Sequence, residues 1–397
     1  MKYRIQKIFD RFVCQGADCE ATCCEGWKIE IDRESYEAYK KIRGKLGLKL
    51  LLGIDPKTRC FRMRRRACVF YNSHGLCDLY KELGRDGLCQ GCKDYPRHKE
   101  DYGDLQEVML SLSCPEAARM ILEDESFGAW VEKIPEDKGE ESGRKLWEVS
   151  RKILVDLEKV REVLNQILRD RQIPWKQRLA MGLAFAHDVQ RHWDTDEDRT
   201  WWVGELSRRY LALGAPERFH RKMQGLREDK SASSPKRPRW AERRIRLAGW
   251  LRQMGPMEPV LEEWKQTLDE MCTVLYHEWD WDTYHRFCEE FDRENEGLEQ
   301  EWENLVLYFL NTYLLGAVYD GDVFGKVKLA VFGVLVIRER CLFVYGTEGK
   351  AGREELIKAA WQYSRQVENS DHNLEFLEMD FLMNPLFGLH AMLEALQ

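Results

Sequence analysis

Long apolar runs are missing from this sequence. The longest, Leu329 to Ile337, spans nine residues between Lys328 and Arg338, whereas a bilayer span takes roughly 20. The opening residues, Met1-Lys2-Tyr3-Arg4-Ile5-Gln6-Lys7, are too charged to form the apolar centre of a secretory leader. A cytoplasmic protein without membrane contact is the expectation. An excess of positive charge is missing too: 62 Lys and Arg face 69 Asp and Glu, for a net charge of −7. That is not the basic footprint of a nucleic-acid binder, so no nucleic-acid partner is expected. There is no glycine-rich dinucleotide fingerprint after a strand pattern, no repeat period and no low-complexity tract. What remains is an ordinary composition, 44% hydrophobic and 33% charged over 397 residues, enough for two or three domains with a large core.

Cysteine is sparse over most of the chain and dense in one stretch. Cys272, Cys288 and Cys341 are the only thiols after Cys114. The other ten of the thirteen are Cys14, Cys19, Cys23, Cys24, Cys60, Cys68, Cys77, Cys89, Cys92 and Cys114. Such crowding calls for disulfide pairing, metal or cluster ligation, or redox chemistry. A reducing cytosol disfavours the first. Thiolate is the soft donor that zinc and iron–sulfur clusters prefer.

The spacing does not choose a metal. Cys89-Gln90-Gly91-Cys92 is a zinc-type knuckle, but no second clean pair accompanies it. An iron–sulfur cluster tolerates looser spacing, because its ligands come from separate loops. Cys14-x4-Cys19-x3-Cys23-Cys24, Cys68-x8-Cys77, Cys89-x2-Cys92 and Cys114-Pro115 suit that pattern. Neighbouring Cys23 and Cys24 are expected to face different ways. Ten thiols exceed what one cluster takes, so either two sites exist or several thiols are small buried hydrophobes. The C-x3-C-x2-C motif of radical S-adenosylmethionine enzymes is absent, since Gly26 stands where the third cysteine would be.

Around the thiols the chain reads as follows. Ile5, Ile8, Phe9 and Phe12 have helical spacing, predicting a short amphipathic lead-in. Lys28 to Asp32 alternates like a brief strand, and Asp32 or Ser35 is placed to cap a helix carrying Tyr36, Tyr39 and Ile42. Asp55-Pro56 is a turn, and Pro115 suits the first position of a helix. Pro135 to Gly143 is a polar break, dividing a cysteine-cluster module (1–134) from a helical body (144–397). In the body, Ile153, Leu157, Val160, Leu164 and Ile167 form one helical stripe; Leu261, Trp264, Leu268, Met271 and Leu275 form another. Residues 228–239 read as an exposed loop. Asn304–Val318 and Leu329–Ile337 are apolar on most sides and are expected to be central helices. The fold class is thus mainly α, an irregular cysteine-rich metal- or cluster-binding module fused to a multi-helix domain.

Several other side chains carry a chemical and a plain reading. Arg62, Arg64, Arg65 and Arg66 could dock an acidic partner or balance an anionic cluster, or form a solvated face. Arg97, after Tyr95-Pro96, is a candidate for contacting a cofactor, against a surface ion pair. Glu368 and His372, four apart on an expected helix, are the catalytic candidates for proton removal, against an ordinary helix-surface hydrogen bond. His277-Glu278-Trp279-Asp280-Trp281-Asp282 with His285 resembles a ligand set, yet Trp281 occupies the second histidine position of HExxH.

Phe12-Val13-Cys14, Asp18-Cys19, Cys23-Cys24-Glu25-Gly26-Trp27, Cys68, Gly75-Leu76-Cys77, Leu88-Cys89-x2-Cys92-x2-Tyr95-Pro96-Arg97 and Ser113-Cys114-Pro115-Glu116 together resemble the flagellin lysine-N-methylases. The likeness covers about the first 120 residues and continues more faintly at Tyr363-Ser364-Arg365-Gln366-Val367-Glu368. It implies methyl transfer from S-adenosylmethionine to lysine on flagellin or another protein substrate. It also implies an iron–sulfur cluster, 4Fe-4S in type, with zinc as the alternative metal. Its metal-ligand candidates are Cys14, Cys19, Cys23, Cys24, Cys68, Cys77, Cys89, Cys92 and Cys114. Cys60 falls outside the pattern. The different-class alternative is a non-enzymatic metal-binding or redox-sensing protein.

Overall fold

A computed structural model describes residues 2–103, 105–133, 151–193, 195, 198–228 and 239–396. The polar break at 135–143 and most of the loop at 228–239 lie outside these. The described chain is mainly helical. Its first part contains strand β1 (Lys2–Gln6), helices α1 (Arg33–Tyr39) and α2 (Gly44–Gly53), and the short strands β2 (Met63–Arg64) and β3 (Ala67–Cys68). Helices α3 (Asp78–Leu83) and α4 (Gln90–Asp94) follow, then β4 (Arg97–Asp101), β5 (Leu105–Leu110), α5 (Pro115–Glu123) and β6 (Trp130–Lys133). The second part contains α6 (Arg151–Arg169), α7 (Trp175–Trp193), α8 (Arg199–Leu211), α9 (Ala215–Glu228), α10 (Arg239–Gln253) and α11 (Trp264–Thr273). It continues with α12 (Trp281–Glu294), α13 (Glu299–Tyr313), α14 (Ala317–Asp320), α15 (Val323–Glu348), α16 (Arg353–Glu368), α17 (Asp371–Met383) and α18 (Leu389–Ala395).

The lead-in expected to be helical is instead β1 followed by a single 3-10 turn, Phe9–Arg11. Strand β1 lies inside a four-stranded sheet of order β4-β5-β1-β6, parallel to β5 and antiparallel to β6. Tertiary pairing overrides local spacing here, because both partner strands come about a hundred residues later. Lys28–Asp32 forms only an isolated bridge, Glu30 to Cys60. Asp32 does cap α1 by accepting from Ser35 N at 2.8 Å, although Ile42 falls beyond the helix.

Two hydrophobic cores result. A small one gathers Ile29, Ile31, Tyr39, Leu50, Ile54, Phe61, Phe70 and Leu79 together with the thiols of Cys68 and Cys89. The large one fills the helical body and also takes in Ile8, Tyr102, Leu105, Leu110, Leu112, Cys114 and α5. The sheet and α5 therefore belong, by packing, with the helices. Arg161 on α6 fixes β5 through a buried two-pronged pair with Glu107, both bonds 2.7 Å. Asn304 on α13 donates to the carbonyls of Ile121, Leu122 and Asp124 at the end of α5, which a helix C-terminus otherwise leaves unpaired.

The body is organised around α15, buried on every side as its apolar run suggests. Its charges are paired within the core: Lys328 donates to Phe381 O at 2.7 Å, Arg338 pairs with Asp292 at 2.6 Å, and Glu339 accepts from Tyr276 and Tyr284. Asn304–Val318 is α13 followed by tighter turns, and the stripe at 153–167 is the inner face of α6. The stripe from Leu261 to Leu275 is α11 running into a single π-helical segment, Val274–Glu278, with Leu261 before the helix.

Candidate thiol centre and its clasp to the helical body

The dense stretch folds so that sulfurs from separate loops meet. Cys23 and Cys24 come from the loop before α1, Cys77 from the start of α3, and Cys89 and Cys92 from α4. Cys24 hydrogen-bonds to both Cys23 and Cys77, so the adjacent pair share one locus and do not face apart as expected. At this locus Cys23 is exposed and Cys24 half-buried. Those contacts raise the pKa of Cys24. In consequence Cys23 is lowered to about 7 and Cys77 to about 6. Cys92 stands to Cys89 in the same way: Cys92 is raised, and Cys89 is lowered by accepting from it. Cys68, buried in the small core, is pushed up by burial to about 11.

Three thiols occupy helix starts: Cys77, Cys89 and Cys114 are the N-caps of α3, α4 and α5. Amides freed at a helix start favour a sulfur that carries negative charge. For Cys77 the amides of Tyr80 and Leu79 add to the effect of Cys24. Pro115 follows Cys114 at the first helical turn, as its sequence predicts.

Cys19 and Cys114 stand beside this group, with the exposed Cys14 next to Cys19. Cys19 donates to Ala21 O at 3.2 Å and is raised by burial, with Arg365 opposing and Cys14 and Cys23 adding to the rise. Burial likewise pushes Cys114 to about 12. Cys60 is apart from both groups, its thiol on Thr58 O of its own turn. Among the described residues, no three His, Cys, Asp or Glu side chains are preset in metal-holding geometry. The donor chemistry nevertheless fits a thiophilic metal or cluster: the gathered groups are all sulfur, from five chain positions, and three are already biased toward thiolate.

A residue with no site role in the sequence reading joins this centre to the body. Arg365 on α16 is buried, and its guanidinium donates to Ser113 O (3.0 and 3.2 Å), Thr22 O (3.1 Å), Ala21 O (3.2 Å) and Tyr95 Oη (3.5 Å). It thereby pins the Cys19–Cys23 loop and the residue before Cys114 to one helix. Its neighbour Gln366 accepts from Val260 N and Leu261 N and donates to Glu258 O. The carbonyls of Pro259 and Val260 in turn accept from Arg66 of the cysteine lobe, at 2.5 and 2.7 Å. Arg62, Arg64 and Arg65 are exposed. The signal that could have found Arg365 was the faint likeness at Tyr363–Glu368, which maps onto this clasp.

Glu368 ends α16 with its carboxyl inside the protein. Tyr308 donates to it at 2.5 Å, and the hydroxyls of Tyr313 and Ser364 face it and favour its ionised form. Burial raises its pKa to about 7 despite these bonds. His372 does not share its helix: α16 stops at Glu368 and α17 begins at Asp371, leaving His372 exposed. Arg97, on edge strand β4, lies over the rings of Phe9 and Phe12 at 5.3 and 5.5 Å, and burial lowers its pKa. His285 pairs with Glu289 on its own helix.

Fold and site together define a mainly helical protein with a thiol-rich lobe clasped onto one end of α16. The FliB lysine N-methylase C-terminal domain matches this chain over residues 161–394, more than half of its length. The chain belongs to the FliB lysine N-methylase family. It is similar to a lysine-N-methylase of Salmonella typhimurium, 30% identical over 132 residues, 31% of this chain and 33% of that protein. It is also similar to a flagellar biosynthetic protein FliU of Salmonella muenchen, 29% identical over 131 residues, 31% of this chain and 78% of that protein. The alignment thus spans only about a third of the Salmonella typhimurium enzyme, 33%. No solved structure matches.

Proposed function

We propose that the protein is a protein-lysine N-methyltransferase, moving a methyl group from S-adenosylmethionine to lysines of flagellin or another protein. We propose further that its cysteine lobe holds an iron–sulfur cluster of the 4Fe-4S kind. The observation that carries this reading is the clasp: the stretch Tyr363–Glu368, inside the segment matched by the lysine N-methylase family, ties the thiol centre to a buried carboxyl. Cys23, Cys24, Cys77, Cys89 and Cys92 would hold the cluster, with Cys68 behind them and Cys14, Cys19 and Cys114 at its side. When bound, it would supply an iron able to take the donor's amino and carboxylate groups.

The chain's own residues supply the rest. Amine attack on a sulfonium methyl is a polar displacement, needing a deprotonated lysine in line with the donor. Arg365 orients the loop that presents Cys19 and Cys23. Glu368 is the base, since a carboxyl tuned near neutrality accepts a proton and releases it again without a large penalty. The helical body is the surface on which a whole protein substrate would lie.

The test is anaerobic purification with iron, sulfide and zinc analysis, then incubation with S-adenosylmethionine and flagellin and intact-mass measurement. Stoichiometric iron and sulfide with methyl-sized mass increments is the expected result. A colourless protein with stoichiometric zinc replaces the cluster with zinc, and the absence of any increment with the loaded protein removes the enzyme reading.

A further inference from the structure

A line of hydroxyl groups runs from the thiol centre into the helical body. Tyr95, whose ring lies against Trp27 beside the centre, has its Oη 3.2 Å from Ser113 Oγ. Ser113 Oγ is 2.8 Å from Ser111 Oγ. The Ser111 hydroxyl neighbours the phenol of Tyr308 and favours its ionised form, and Tyr308 donates to Glu368 Oε2 at 2.5 Å. Leu112 N donates to Tyr308 Oη at 3.1 Å, and Ser111 N to Pro96 O at 2.7 Å, so backbone bonds hold the line in place.

We propose that Tyr95, Ser113, Ser111 and Tyr308 form a proton relay that ends on Glu368. A hydroxyl both donates and accepts, so each member can take a proton on one side while giving up its own on the other. The bond directions agree: Tyr308 gives its hydrogen to the carboxylate and accepts from Leu112 N, which leaves a lone pair for Ser111. Arg365 Nη2, donating to Tyr95 Oη at 3.5 Å, aligns the entrance. No thiol needs to change charge.

The relay's purpose rests on the methyltransferase reading. A substrate lysine presented at the Cys19–Cys23 surface arrives as an ammonium. Its N–H bond breaks, a proton enters at Tyr95, each hydroxyl hands one on, and the Glu368 carboxylate becomes a carboxylic acid. The freed lone pair then forms the N–CH3 bond as the S–CH3 bond of the donor breaks, and a neutral thioether leaves. A carboxyl at the far end keeps the base away from the reacting atoms while leaving it in proton contact with them.

Glu368 is faced by Tyr308 and Tyr313 on α13, Ser364 on its own helix and His98 on β4, with Glu100 next to His98. Only the carboxylate accepts, so the rate should rise with pH through about 7, the value to which burial lifts Glu368.

The experiment uses the full chain with its native metal content. Tyr308→Phe and Ser111→Ala should each lower kcat for protein methylation by about 10²-fold while leaving KM for the protein substrate unchanged. Ser111→Thr, which keeps a hydroxyl, should recover part of the loss, and Glu368→Gln should abolish the rise with pH. Infrared spectroscopy reads the relay without turnover. The carboxylic-acid band of Glu368, identified by its loss in Glu368→Gln, should follow a pH jump in the wild type and lag by about 10-fold or more in Ser111→Ala. A silent methylation assay with this infrared lag present rejects the methyltransferase reading and upholds the relay. Wild-type pH profiles, or wild-type infrared kinetics, in both Ser111→Ala and Tyr308→Phe overturn it.

Discussion

The two cores of this protein are built on different terms. The helical body buries an entire 26-residue helix, α15, under layers that include α7, α13 and α16, and its cohesion comes from apolar area removed from water. The thiol lobe has a core of only a few side chains, with cysteine sulfurs among them. So little apolar area does not offset chain entropy by itself, and small lobes of this kind depend on cross-links or metal. One region should stand alone; the other should stand only when its sulfurs are joined to something.

The sharpest way to break this contrast is to remove the metal or cluster proposed for the sulfurs. Structural metal sites contribute on the order of 10 kcal/mol to folding. Anaerobic chelation should therefore open residues 23–92 to protease while the helical circular dichroism of the body persists. Equal protection before and after chelation would refute it. Trp250→Ala is the mirror experiment. Trp250 is fully buried, packed on Phe332 and Phe387, and its loss should cost about 4 kcal/mol in denaturant unfolding of the body, with the metal content unchanged.

Arg365→Ala strikes the boundary. Leaving the carbonyls of Ala21, Thr22 and Ser113 without their donor should cost about 3 kcal/mol. Hydrogen exchange should then rise in residues 19–24 before it rises in α15. Glu368→Gln should act in the opposite direction. A carboxyl whose folded pKa lies near 7, above its unfolded value of about 4.3, favours folding fully at acid pH, and that contribution is lost as pH rises through 7. The substitution should therefore stabilise the protein at pH 8 by about 2 kcal/mol, with little change at pH 4, trading stability against activity. The smallest effect is expected at Leu51, 76% exposed on α2: Leu51→Ala should move the unfolding midpoint by no more than about 0.5 kcal/mol.

Where the sequence was readable, the reason was local. The stripe of α6, the buried run inside α15, the Asp32 cap and Pro115 at the start of α5 each follow from spacing or from one residue's chemistry within a single turn. Where it was not, the cause lay far along the chain. Strand β1 takes its identity from β5 and β6, and Arg365 finds its partners some 250 to 344 positions away. The gathering of Cys23, Cys24, Cys77, Cys89 and Cys92 was anticipated as a crowd, but the contact of Cys24 with Cys77 depends on two separate segments meeting. Likewise the link imagined between Glu368 and His372 failed at a helix end, while the partner that matters, Tyr308, sits on another helix.

Strand β1 carries one last implication. Its neighbours are translated late: Leu105–Leu110 after nine of the ten clustered thiols, and Trp130–Lys133 after all ten. On the ribosome the sheet cannot close until that whole stretch has emerged. All ten clustered cysteines are therefore synthesised before this sheet is complete.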